Sequence, residues 1–308
     1  MTPGRTRGLS VALVATAGLV AATLNAQEVF RAGTDVVMLN VSVLDGKNRP
    51  VGGLSRDDFA VFEDNIPQEI GVFAREAQPI ALSLLLDTSA SMDSKMRVAQ
   101  DAASGFIERL GPKDVAQVID FDTMALIAQP FTSDHAELER AIRKTDAGGQ
   151  TSLYDAVYVA FNDLRRVPKT PDTLRRQVIV LLSDGEDTSS HTEYEDVMAM
   201  SKRSDIIVFG IGLRTHDDPP QSGWNEAEWV LRTLAQETGG RVFFVKDAAQ
   251  LASIYTQIAD DLASQYTIGY RSKNLRQDGT WRRVVVQIRP GGAVARTKSG
   301  YFAPTKGR

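Results

Sequence analysis

Between residues 79 and 265 the sequence alternates short, unbroken apolar runs with segments of helical period, and this alternation restricts the fold more than any other feature. The apolar runs lie at 80–86, 115–121, 178–182, 206–213 and 242–245. Strands apolar on both sides belong inside a mostly parallel sheet that is covered on both faces. Helical patterns fall between them, at 96–110, 152–166, 194–204, 226–238 and 248–264. Residues 125–131 read as a further strand that follows Asp122 too closely for a crossover, so it is expected to pair antiparallel at an edge. The pattern predicts a doubly wound α/β domain over 79–265.

The flanks read differently. In the segment 27–78, Val37, Leu39, Val41 and Val43 alternate with Met38, Asn40, Ser42 and Leu44, a period of two with one apolar face. Asp45-Gly46 and residues 50–53 are turn signals, and short strands are expected at 59–62 and 69–73 around Asp64-Asn65. Ser55, with Asp58 three residues on, suits one helical turn. In the segment 266–308, residues 266–270 form one candidate strand, and Val284, Val286 and Ile288 form the apolar face of a second. Residues 293–298 make a nearly polar strand suited to an edge. Neither segment is large enough to build a two-layer core alone. The favoured arrangement is one small all-β sandwich made from both terminal segments, with the α/β domain inserted between them. Two separate small sheets packed on the central domain are the alternative.

Residues 1–26 read as a signal peptide. Arg5 and Arg7 precede an uncharged stretch at 9–24, and Leu24-Asn25-Ala26 offers a cleavage site before Gln27. A membrane anchor is the competing reading, but the stretch is shorter than the ~20 residues a span needs and contains Ser10, Thr16, Gly18 and Thr23. The expectation is an exported chain, periplasmic or secreted, with no stable membrane anchor after cleavage. There is no cysteine, which excludes disulfides, thiolate zinc sites and lipid attachment at that position. With 35 basic and 39 acidic residues the net charge is −4, and loss of Arg5 and Arg7 makes it more negative, so nucleic acid is not an expected partner. The basic pairs Arg165-Arg166 and Arg175-Arg176 flank Pro168 and Pro171 and suit a solvated loop.

The chemistry concentrates at the ends of the apolar runs. The first ends in Asp87-Thr88-Ser89-Ala90-Ser91, and a later one in Ser183-Asp184-Gly185. Between them, Gly148-Gly149-Gln150-Thr151-Ser152 precedes a helix. Ligands of doubly wound sheets bind at carboxyl strand ends, where strand order reverses. Two aspartates at one buried edge repel unless something positive sits between them. The hydroxyls of Ser89, Ser91 and Thr151 are hard, neutral oxygen donors. A small hard cation takes about six such oxygens near 2.1 Å, some from water. The set Asp87, Ser89, Ser91, Thr151 and Asp184 is therefore expected to hold one divalent cation, Mg2+ first, with Mn2+ or Ca2+ open. Hydroxyls are expected to bind directly and one or both aspartates through water, leaving a position for a carboxylate from another molecule. Helix capping by the three hydroxyls is the alternative, but it does not account for two aspartates at separate strand ends.

In order and in placement at strand ends, Asp87-x-Ser89-x-Ser91, Thr151 and Asp184-Gly185 resemble the metal-ion-dependent adhesion site (MIDAS) of the von Willebrand factor type A family, which includes the integrin inserted domains. The resemblance covers about 79–265. It implies Mg2+, Mn2+ or Ca2+ binding and capture of a protein ligand through an acidic side chain. The flanking β segments resemble those of bacterial exported proteins with a related type A domain, on architecture more than on motifs.

The remaining signals are weaker. Glu186 and Asp187 suit a solvated rim. Asp120 and Asp122 either support the site or start a turn. An insertion at 215–225, with Asp217-Asp218-Pro219-Pro220 and Trp224, either selects a partner or is a plain surface loop. Gly210-x-Gly212 lacks the third glycine of a dinucleotide site and reads as close packing. His135, His191 and His216 are scattered, and no hydrolase elbow or nucleotide phosphate loop is present. The expected function is a metal-dependent binding module of adhesion type, not an enzyme. The alternative is a structural envelope scaffold in which the ion mainly stabilises the fold. A third possibility, a Lewis-acid enzyme, finds no adjacent base of unusual character. The helix at 248–264 runs straight into the segment at 266, a route by which ligation would reach the sandwich.

Overall fold

The computed structural model describes residues 1, 36–75, 78–168, 175–213, 226–289 and 291–305. The signal-peptide expectation for 1–26 and the insertion at 215–225 lie outside them. The N-terminal β segment supplies β1 (Val36–Leu44), β2 (Phe59–Glu63), β3 (Ile66–Gln68) and β4 (Ile70–Ala74). Between β1 and β2, Ser55 and Asp58 form the expected capping box on a single 3-10 turn, Arg56–Asp58.

The central region follows with β5 (Ile80–Asp87), α1 (Met96–Ile107), β6 (Val115–Phe121), β7 (Ala125–Thr132), α2 (His135–Arg143), α3 (Leu153–Arg166) and β8 (Arg176–Ser183). It continues with α4 (Tyr194–Lys202), β9 (Ile207–Leu213), α5 (Glu226–Thr238), β10 (Val242–Val245) and α6 (Leu251–Ser264). The C-terminal segment adds β11 (Tyr266–Arg271), β12 (Trp281–Ile288), β13 (Val294–Arg296) and β14 (Gly300–Phe302).

The six central strands form one sheet in the order β10-β9-β8-β5-β6-β7, parallel except for β7, which pairs antiparallel with β6 at the edge as its short connection requires. Every residue of β5 and β8 is buried. Leu82, Leu84 and Leu86 face α1, α2 and α6, whereas Ala81 and Leu85 face α3, α4 and α5. Each leucine so buried contributes roughly 1.5–3 kcal/mol, which is why unbroken apolar runs settle here rather than at a solvated face. α2 is a helix not among those expected from the apolar pattern. Asp134 caps it by accepting from the N–H groups of Ala136 and Glu137, and Leu138, Ala141 and Ile142 supply its buried face. Gly212 confirms the close-packing reading, because a Cβ there would lie 2.6 Å from the Phe244 ring.

The terminal segments fold together rather than as two separate sheets. β1 pairs with β11 and β2 with β12, giving two four-stranded antiparallel sheets, β13-β1-β11-β4 and β14-β12-β2-β3. Their core joins Leu39, Val41, Ile70, Tyr266 and Ile268 of one sheet to Phe59, Val61, Val284 and Val286 of the other. Residues 293–298 shrink to β13, which lies at the expected edge, and β14 is a strand the sequence reading did not separate.

Two expectations need correction at the junction with the α/β region. Ser42 and Leu44 are buried although they lie off the apolar face, because the back of β1 packs on α6. The Ser42 hydroxyl donates to Asp261 of that helix and accepts from Gln265 Nε2 at 2.9 Å. Arg176 is not part of a solvated basic loop. It is buried at the start of β8 and donates to Asn40 Oδ1 at 3.1 Å and to the Leu262 carbonyl at 3.0 Å, tying the central sheet to β1 and α6. A loop-like sequence around two prolines concealed a side chain whose partners lie more than 80 residues away.

Burial pushes the Asp261 carboxyl above the usual value near 3.8, against the pull of the Ser42 hydrogen bond and of Arg296 and Arg241. The folded chain therefore retains this proton over a pH range in which the unfolded chain has lost it, so this group's contribution to stability falls as pH rises above about 3.8. Asp261→Asn removes the titration. Urea midpoints measured from pH 4 to 7 are expected to show the variant gaining on the wild-type chain as pH rises; a constant or shrinking difference contradicts the assignment.

Candidate metal centre

β5 runs through the middle of the sheet and delivers Asp87 to its carboxyl end. β6 lies on one side of it and β8 on the other, so the crossovers leave in opposite directions and open a crevice at these ends. The parallel register sets Leu86 opposite Leu182, which places Ser183 beside Asp87 and Asp184 just beyond.

Asp87 is fully buried. Its Oδ1 accepts from the Ser89 N–H at 2.9 Å and its Oδ2 from the Ser183 hydroxyl at 2.5 Å. Burial pushes the carboxyl up, the hydrogen bonds from Ser183 and Ser89 oppose this, and the charge of Asp184 adds to the rise. The Ser89 and Ser91 hydroxyls lie 3.0 Å apart, and Ser91 Oγ donates to Asp184 Oδ1 at 2.6 Å. Asp87, Ser89, Ser91 and Asp184 thus form one continuous polar array. The Lys95 ammonium ion-pairs with the other oxygen of Asp184, whose side chain is shielded from solvent.

Thr151 comes from the loop before α3 and stands against the same crevice. Its N–H donates to Thr188 Oγ1 at 2.9 Å, and its carbonyl accepts from the N–H groups of Thr188 and Ser189 at 2.8 and 3.1 Å. A Cβ on Gly185 would lie 3.6 Å from Thr151 Oγ1. The loop is laced to the first one as well, through Gly148 N–H to the Thr88 carbonyl at 2.8 Å and Ala90 N–H to the Gly149 carbonyl at 3.3 Å. Gly149 has φ +71°, and a Cβ there would meet Thr123 Oγ1 at 2.5 Å, so the turn that presents Thr151 requires glycine.

Capping does not explain the Ser89 hydroxyl. Ser89 and Ser152 precede the 3-10 turn Ala90–Lys95 and α3, but neither side chain accepts a capping N–H. The flanking acids divide by role. Asp122 accepts from Met124 N–H at 3.1 Å within its turn, and its carbonyl accepts from Ser152 N–H at 2.7 Å, so it supports the Thr151 loop. Asp120 stays on β6, where burial first and Asp122 second push its carboxyl up. Asp187 is not simply a solvated rim. It accepts from Tyr154 N–H at 3.1 Å and holds the start of α3; Glu186 is exposed. Ser183, Lys95 and Thr188 were not singled out in the sequence, because only strand register and loop packing bring them to the crevice.

Among the described residues no cluster of three or more His, Cys, Asp or Glu side chains is placed to hold a metal. An ion at this crevice would meet the carboxylates of Asp87 and Asp184 with the hydroxyls of Ser89, Ser91 and Thr151 beside them. Two carboxylates and three hydroxyls are all hard donors, which fits a hard divalent cation and not a thiophilic one.

Residues 82–257, more than half of the chain, match the von Willebrand factor type A domain. The chain belongs to this family. A MIDAS is implied by that membership, and type A domains are generally interaction modules rather than enzymes. Among curated proteins, calcium-activated chloride channel regulator 1 from Bos taurus is 27% identical over 223 residues, or 69% of this chain and 23% of the regulator. The chain thus spans less than a quarter of that relative's length. Among solved structures, a von Willebrand factor type A protein from Catenulispora acidiphila superposes with a TM-score of 0.52 at 15% identity, over 90% of this chain and 76% of that one, which shows the type A fold. Proximal thread matrix protein 1 from the mussel byssus matches with a TM-score of 0.49 at 18% identity over 65% of this chain and 49% of its own, and was solved with a zinc-occupied MIDAS motif. Among the described residues no helix is long and apolar enough to cross a membrane.

Proposed function

We propose that the chain is an exported, cation-dependent protein-binding module. Asp87, Ser89, Ser91, Thr151 and Asp184 hold one divalent cation, Mg2+ before Mn2+ or Ca2+. The observation that carries this reading is the unbroken array from Asp87 through Ser89 and Ser91 to Asp184, with Thr151 fixed beside it. The two carboxylates supply charge, and the hydroxyls supply neutral oxygens that leave an ion electrophilic. A divalent cation at this place offers a position that an acidic side chain of a partner protein completes. Ser183 keeps Asp87 oriented, and the Thr188 contacts keep the Thr151 loop closed on the crevice.

The test is affinity capture from an envelope extract with the wild-type chain in Mg2+, the same chain in EDTA, and Asp87→Ala and Thr151→Ala in Mg2+. Proteins retained in the first condition and lost in the other three are the expected result. If partner binding persists in EDTA while melting temperature falls, the ion is structural and the module reading fails.

A further inference from the structure

Lys95 is placed against local preference. It ends the 3-10 turn Ala90–Lys95 and is the residue that precedes α1, with no side-chain capping bond and no acidic residue in the first turn of that helix. A helix N-terminus carries partial positive charge and favours anions, and lysine is a poor residue there. Its partner explains the position. The Lys95 side chain is mostly withdrawn from solvent, and its ammonium closes on Asp184 Oδ2 while Ser91 Oγ takes Oδ1. Both oxygens of Asp184 are thereby engaged, one by a hydroxyl and the other by a full positive charge. Among the described residues Asp87 has no such counter-charge; its hydrogen bonds come from Ser89 and Ser183.

We propose that Lys95 is a built-in counter-cation that competes with the divalent ion for Asp184 and so sets how tightly the site binds metal. This rests on the proposed metal site. The argument is electrostatic. A buried carboxylate needs a positive partner, and Lys95 supplies one unit of charge on a flexible four-carbon stem that can withdraw. An ion entering among Asp87, Ser89, Ser91 and Asp184 must take Asp184 Oδ2 from the ammonium or sit beside a like charge. A dication brings more charge than the lysine it replaces; a monovalent ion brings no more, and Lys95 therefore also discriminates against monovalent ions. Removing Lys95 leaves Asp184 without its counter-charge, which weakens the fold in the absence of metal and strengthens the pull on a dication.

Isothermal calorimetry of Mg2+ and Mn2+ with the full chain, Lys95→Met and Lys95→Gln tests this. The expected result is a Kd at least tenfold lower in both variants, about 1.4 kcal/mol, together with a lower melting temperature in EDTA. Glutamine keeps a hydrogen-bond donor for Asp184 without the charge, so it serves if the methionine variant does not fold. Equal or weaker metal binding in the variants overturns the proposal and leaves the metal site standing. If neither the wild-type chain nor the variants take up either ion, the site reading falls with it. A second measurement uses the unaltered chain. Acetylation of Lys95 by an amine-reactive reagent, read by mass spectrometry against exposed Lys47, is expected to run several-fold faster in Mg2+ than in EDTA. An unchanged ratio overturns the proposal.

Discussion

Glu63→Ala is expected to lower the unfolding free energy of the chain by about 3–5 kcal/mol, roughly a fifth or more of a typical domain's ~5–15 kcal/mol. Glu63 is 1% exposed and faces Arg282, 2% exposed, with Oε1 3.5 Å from the guanidinium Nη1. Its Oε2 accepts from the Tyr270 and Tyr301 hydroxyls at 2.9 and 2.8 Å, and its Oε1 accepts from Ser272. Those partners come from β11, β14 and the turn after β11, so one carboxylate on β2 pins both sheets of the sandwich and joins the two ends of the chain. Alanine would take the counter-charge from a buried guanidinium, which keeps the Asn274 and Arg276 carbonyls and the Ser272 hydroxyl, and would remove the carboxylate acceptor of the Tyr270 and Tyr301 hydroxyls. Glu63→Gln keeps an acceptor for one tyrosine and is expected to cost less than alanine, while still leaving Arg282 without its counter-charge. Urea denaturation at neutral pH measures both; a loss under about 1 kcal/mol for the alanine variant contradicts this account of the network.

Asp87→Ala is expected to abolish the stabilisation that a divalent cation gives. For the wild-type chain, Mg2+ at 100 times its Kd raises unfolding free energy by about 2.7 kcal/mol through binding to the folded state alone. Loss of a supporting neighbour of a metal site costs 10–100-fold in affinity, and loss of Asp87, which carries half the anionic charge of the array, is expected to exceed ~100-fold. Thermal melts with and without Mg2+ should separate for the wild-type chain and coincide for the variant. Equal metal-induced shifts in the two chains would remove Asp87 from the site. Ser183→Ala offers an intermediate case, because it deletes one hydrogen bond to Asp87 and leaves the carboxylate in place.

The central sheet was legible because its strands are buried on both sides, and a run such as 80–86 has no solvated face to blur it. The edge position of β7 followed from chain length alone. Asp87, Ser89, Ser91, Thr151 and Asp184 could be picked out as candidates because Asp87 ends β5, Asp184 directly follows β8 and Thr151 lies in the loop before α3, positions where a doubly wound topology opens a crevice. What escaped shares a different physics. Glu63 is a lone acid in a short strand, and nothing local says that a guanidinium from residue 282 will cover it. Arg176 sits next to another arginine and near two prolines, which reads as surface until its partners on β1 and α6 are known. Lys95 and Ser183 acquire their roles only when β5 and β8 lie side by side. α2 is the exception: Asp134 and the spacing of Leu138, Ala141 and Ile142 carried a readable signal.

The pairing of β1 with β11 and of β2 with β12 also constrains the order of events during folding. Residue 41 meets residue 266, and residue 61 meets residue 286, so neither sheet of the sandwich can close until the segment from residue 266 onward has been made. Contacts this distant in sequence are slow to form from an open coil. The α/β region, whose own strands need no residue beyond 245, can gather first and bring its two ends to the same side, where Arg176 and Asp261 already wait to receive β1. The inserted domain then acts as the template on which its own frame is assembled.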